Sequence, residues 1–171
     1  MNVPEKLINF RVYQNGTDLI GIADVTLPSL EAMTETIKGA GLAGEIDSPV
    51  LGHYGSQTLE LNWRVLYKPA VLLAAPKAVT LDLRGANQVK DSETGEFVVL
   101  PVKIVARGVP KSTELGKLDV GTTSDTKTTL EVDYTKVTVD GKDVLELDKY
   151  NYICKVDDTD YLSEVREALG L

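Results

Sequence analysis

The sequence predicts a mostly β fold, a barrel or sandwich with one or two short flanking α-helices and one long loop. Three observations carry this. Apolar and polar residues alternate with period two in stretch after stretch, as strands with one buried and one wet face require. The dipeptides Asn15-Gly16 and Asp140-Gly141, which accept the positive φ of tight hairpin turns, sit between such stretches. A clear apolar stripe of helical period occurs only near the C terminus.

In chain order, Ile8, Phe10 and Val12 alternate with Asn9, Arg11 and Tyr13 to give a first strand. Asn15-Gly16 turns it back into an arm over Leu19–Leu27, which Pro28 ends because proline cannot donate to a ladder. Glu31–Lys38 reads as a short helix-compatible piece. KGAGLAGEIDSPVLGHYGS, Lys38–Ser56, then reads as a long glycine-rich loop that is too apolar for a free linker and therefore docks on something.

Strand character returns in Thr58–Tyr67, with Leu59, Leu61, Trp63, Val65 and Tyr67 on one parity. Pro69 suits a first helical turn, and Ala70–Ala75 closes at Pro76. Val79, Leu81 and Leu83 mark the next strand, Glu93–Glu96 turns, and Phe97–Arg107 runs back. Val98–Val102 is apolar on both parities, which predicts burial on both faces. Gly108–Lys127 is polar and reads as a second, mobile loop.

Thr128–Lys155 is the clearest hairpin. Leu130, Val132 and Tyr134 alternate with acids and threonines, whereas Val137 and Val139 fall on the other parity, the mark of a β-bulge or of a strand serving two surfaces. The return runs through Val144, Leu145 and Leu147. Residues 158–169 form a C-terminal helix with Tyr161, Leu162, Val165, Ala168 and Leu169 on its apolar stripe and Gly170 beyond it. The total is about seven strands in one domain spanning residues 1–171.

Lys plus Arg number 18 against 26 Asp plus Glu, a net charge of -8, which argues against grip on a phosphate backbone. Cys154 is alone and can form no internal disulfide. The opening MNVPEKLINF lacks the apolar core of a secretory signal, and no apolar run approaches a membrane span. A protein made and folded in the cytoplasm, with no membrane insertion, is the expectation.

Catalytic equipment is not evident. Gly39-Ala40-Gly41-Leu42-Ala43-Gly44 is a literal GxGxxG, but no buried strand precedes it and Pro49, Gly52 and Gly55 break any helix after it, so no nicotinamide cofactor is expected. His53 is the only histidine, which leaves no histidine pair for zinc. No catalytic, cofactor or metal residue is assigned, and an enzyme is not expected. The hairpin acids Glu131, Asp133, Glu146 and Asp148 form a candidate anionic face.

Taken together, several segments resemble the major tail tube protein of contractile-tailed bacteriophages and of R-type phage-tail-like bacteriocins. They are VTLPSLE (Val25–Glu31), Lys38–Ser56, LRGANQVKDSETGE (Leu83–Glu96), ARGVPKSTELGKLDVG (Ala106–Gly121), VDYTKVTVDGKDVLELDKYNYICKV (Val132–Val156) and the closing LGL. The resemblance covers nearly the whole chain and rests on the order and spacing of these pieces. It implies a β-barrel or sandwich subunit whose hexameric rings stack into the inner tube of a tail, assembled in the host bacterial cytoplasm and carried in the virion or bacteriocin particle.

Its implied partners are further copies of itself, a tail sheath protein, and baseplate and tail terminator proteins. In a phage, double-stranded DNA passes transiently down the lumen. The resemblance assigns inter-ring stacking to the Gly-rich loop, hence to Gly39, Gly41, Leu42, Gly44, Ile46, Asp47, Pro49, Leu51, His53 and Tyr54. The acids of the central hairpin are then candidates for the lumen wall, where like charge would repel DNA. A cytosolic acidic β-sandwich that binds a partner is the alternative reading.

Overall fold

The longest strands share one curled sheet, which the computed structural model describes together with the rest of residues 1–171. Strands make up 59% of the chain and helix 7%. β1 (Asn2–Gln14) turns at Asn15 and Gly16, both at positive φ, into the two-residue β2 (Thr17–Asp18). β3 (Ile22–Thr26) leaves β1 and pairs instead with β6 (Thr58–Trp63). The arm expected over Leu19–Leu27 is therefore split between two partners.

The centre of the sheet is β7 (Val79–Asp91), β8 (Phe97–Glu114) and β9 (Thr126–Val139), all antiparallel. β9 is the organising strand. β8 runs along one side, while the other side holds β6 against Thr126–Glu131 and then β10 (Lys142–Asp148) against Tyr134–Val139. Beyond β10 lie β11 (Ile153–Val156) and the short β12 (Thr159–Asp160). The path β3-β6-β9-β8-β7-β1 curls round the core, but no ladder joins β3 to β1, so the barrel stays open.

The parity change in β9 has a definite origin. Gly108 pairs with Val132 and Arg107 with Tyr134, which leaves Asp133 as an extra residue in the ladder. Leu130 and Val132 before this bulge and Thr135 after it all face the core, as a one-residue insertion in a period-two strand requires. A second shift between Pro110 and Ser112 leaves Lys111 unpaired on β8.

Leu59, Leu61, Trp63, Leu81, Leu130 and Val12 fill the core, which α1 (Lys68–Leu72) and the turn after it close with Ala70 and Leu73. Pro69 stands in the first turn of α1, as its fixed φ allows. Three threonines point inward on β9: Thr126 and Thr128 are satisfied, whereas Thr135 Oγ1 has no partner. Thr128 Oγ1 accepts from Trp63 Nε1 at 3.2 Å, and Thr126 Oγ1 donates to the Leu115 carbonyl at 3.0 Å. A second cluster, Leu147, Cys154 and Leu162, packs under α2 (Ser163–Leu169), which ends at Gly170 in the left-handed region.

Several expectations are corrected. Ala32–Lys38 is a strand, β4, because its threonines and isoleucine pair across to a partner and no apolar stripe exists to seat a helix. That partner is β5 (Glu45–Tyr54), so most of the expected loop Lys38–Ser56 is the far arm of a hairpin. β8 continues to Glu114, which confines the second loop to Leu115–Asp125. The final helix starts at Ser163 rather than 158, since Thr159 and Asp160 pair with β11.

The strand from Thr58 ends at Trp63, leaving Val65 and Tyr67 exposed. Ile8, placed inward by alternation, is bulged out by a register shift between Leu7 and Asn9. Val98–Val102 is not buried on both faces: Val98 and Val99 are exposed, because this end of β8 runs past the main core.

Candidate assembly surfaces

The β4–β5 hairpin forms a two-stranded sheet of its own. Its tip, Gly39–Gly44, needs glycine for backbone reasons: φ is +133° at Gly39, +94° at Gly41 and +139° at Gly44, and no atom lies near a Cβ built at any of the three. The GxGxxG run is thus a strand-to-strand turn, without the helix that would hold a pyrophosphate.

Apolar side chains project from both faces of this hairpin into water. Leu42, Ile46 and Leu51 from the expected set are exposed, and so are Met33, Ile37 and Val50. Pro49 sits in the ladder opposite Thr34, Asp47 accepts from Thr36 Oγ1 at 2.7 Å, and His53 Nδ1 bonds the Leu51 carbonyl at 2.8 Å. An isolated two-stranded hairpin is marginally stable in water. This one is anchored only at its base.

There Gly55 N–H donates to the Glu31 carbonyl, and Lys149 Nζ reaches the Gly55 carbonyl at 2.8 Å. Tyr54 packs into the Leu147–Cys154–Leu162 cluster, where burial, with the Cys154 thiol beside it, pushes its phenol above its usual pKa. Gly52 lies so close to Leu162 that a Cβ would come within 2.7 Å of its side chain. Sequence reading missed Met33 and Ile37, since a strand wet on both faces shows no alternation.

The four candidate acids gather on the outer side of β9 and β10, each beside a donor. Both Glu131 oxygens accept from Ser56 Oγ at 2.8 Å, and Lys111 Nζ stands 3.4 Å away. Burial raises the Glu131 pKa, but those two donors and a backbone N–H outweigh it and hold it below the ordinary glutamate value. Asp133 accepts from Arg107 Nε at 2.8 Å, and Glu146 from the Tyr134 hydroxyl at 3.2 Å.

Asp148 is only 5% exposed and caps the turn after β10, accepting the N–H groups of Tyr150 and Asn151. The face is therefore charge-compensated. Arg107 and Lys111 come from β8, brought alongside by the bulged register that sequence spacing does not display. Further along the same face Arg84 and Lys103 both reach Asp82, and Lys136 pairs with Asp143 at 3.0 Å.

Known proteins resemble the chain along its whole length. A family model described as phage tail tube protein FII matches residues 4–170. The tail tube protein of Escherichia phage P2 is 32% identical over 176 aligned residues, covering 100% of both chains. The major tail tube protein of Serratia phage KSP20 is 27% identical, covering 100% of this chain and 99% of that one. Among solved structures, the sheath/tube terminator of an extracellular contractile injection system in its extended state shares the fold. Its TM-score is 0.52 at 16% identity, over 79% of this chain and 96% of that one.

Proposed function

Because this chain belongs to the phage tail tube protein family, we propose that its copies close head to tail into hexameric rings that stack into the inner tube of a contractile tail. It is a tail tube component of a contractile-tailed phage or contractile injection system. The observation that carries the finer reading is the β4–β5 hairpin, which stands off the body with apolar side chains on both faces. Such a surface in water calls for a partner. Residues 39–54 are assigned to the contact between successive rings.

The open barrel supports the same reading. Free edges at β1 and β3 would pair indiscriminately unless covered. Rotational head-to-tail packing covers every such edge in a closed ring, and a translation along the axis then builds a tube. The partners that follow are a sheath around the tube, a terminator and a baseplate at its ends, with assembly in the host bacterial cytoplasm. Both sequence relatives named above are phage proteins, which favours a genome conduit over a headless bacteriocin.

The outer sheet face bearing Arg107 and Lys136 fits a lumen wall. Its cations already hold carboxylates, and a cation so engaged gives little grip on passing phosphates, while the overall charge of -8 repels them. The test is a shortened hairpin: Ile37–Ile46 replaced by Asn-Gly, which joins the register partners Thr36 and Asp47. Negative-stain microscopy should show tubes from the wild-type protein and none from the variant, which stays a folded monomer. Long tubes from the variant would overturn the stacking role.

A further inference from the structure

The loop Leu115–Asp125 holds two apolar side chains away from its own domain: Leu118 is 92% exposed and Val120 fully exposed. The loop is nevertheless built. Lys117 N–H donates to the Ser124 carbonyl and Ser124 N–H to the Arg64 carbonyl, both at 2.8 Å. At Gly116 a Cβ would sit 1.9 Å from the Ser124 carbonyl oxygen, so the base closes only around glycine. A tied loop base presenting two unburied aliphatic groups has the form of an interface anchor.

The molecule also carries an apolar cleft. Where the barrel fails to close, Leu7, Phe10, Val25, Leu27, Val102 and Ile104 line a cavity of about 410 Å³. A cavity of about 150 Å³ already admits a benzene ring, so the cleft has room for two aliphatic side chains. Asp24 and Arg84 also border it. On the loop, Lys117 and Asp119 flank Leu118, one residue of each sign to face one of each sign. Val102 and Ile104 lie roughly 30–40 Å along β8 from the loop end of that strand, at about 3.3 Å per residue.

We propose that the Leu118–Val120 tip of one copy inserts into the Leu7–Phe10–Val25–Leu27 cleft of the next. This rests on the tube reading and adds a second self-contact to the hairpin. Because the two surfaces differ, the contact is heterologous and propagates rather than pairing off, as a tube requires.

Mixing the single variants Leu118→Cys and Leu27→Cys under mild oxidation tests it, the native Cys154 being buried. The expected result is a mixed disulfide dimer that appears only when both variants share a tube. Leu118→Ser with Val120→Ser should leave the monomer's Tm unchanged, since both side chains are exposed, and abolish tube formation. Tubes without the cross-link, tubes from the serine variant, or a Leu118→Cys/Leu27→Cys chain that closes on itself as a monomer would each overturn the insertion while leaving the tube reading intact. Wild-type protein that forms no tubes at all would overturn the tube reading and the insertion together.

Discussion

Gly108 approaches Glu131 so closely that a Cβ on it would lie 2.2 Å from the Glu131 carbonyl oxygen. This contact sits beside the Asp133 bulge, which sets Arg107 beside Asp133. Replacing Gly108 by Ala forces the two backbones apart and should cost about 2–4 kcal/mol, as overpacking against backbone does. Urea unfolding of the variant checks this, and an unchanged midpoint would show that the ladder shifts freely.

Gly52 fastens the hairpin to the body. Its φ is +63°, and a Cβ there would lie 2.7 Å from the Leu162 side chain, so the position favours glycine. Gly52→Ala should destabilise by about 1–3 kcal/mol through backbone strain and overpacking. Hydrogen exchange in β4 and β5 should rise more than in β7–β9.

Thr128→Val keeps shape and removes the acceptor of the Trp63 indole N–H, both side chains being buried. A buried donor left without a partner costs about 1–3 kcal/mol. Thermal unfolding should register that loss, and Thr128→Ser, which keeps the hydroxyl, should recover part of it.

Acid should loosen the C-terminal helix. A hydrogen bond from Arg166 holds the Asp160 carboxyl below its ordinary value, and Arg166 also donates to the Tyr152 carbonyl at 2.6 Å. Glu131 is likewise depressed. A depressed folded-state pKa contributes stability that is complete above the unfolded value and is lost as pH falls through the folded one, here below about pH 4. Denaturation midpoints should fall on acidification through that range, and less steeply for Asp160→Asn.

What the sequence made legible was whatever one copy buries. Leu59, Leu61 and Trp63 alternate because one face is dry, and the opposite parity of Val137 and Val139 fits either a bulge or a strand serving two surfaces, of which the structure has a bulge, at Asp133. Glu31–Lys38 reads as helix-compatible although Ala32–Lys38 is a strand, because Met33 and Ile37 are wet on a two-stranded ribbon, where no alternation is selected. Val98–Val102 reads as doubly buried, yet a single copy leaves much of it open. The pairing of Arg107 with Asp133 depends on long-range register, which no local spacing encodes. Met33 and Ile37 lie on the hairpin, and Val102 in the cleft, that other copies are proposed to cover.

A subunit incomplete on its own would have its apolar hairpin covered by further copies of itself. Cryo-electron microscopy of the purified, concentrated protein tests this most directly. The expected result is stacked hexameric rings in which Met33, Ile46 and Leu51 of each copy are buried against the neighbouring ring. Monomers at every concentration, or tubes in which the hairpin remains in water, would contradict it.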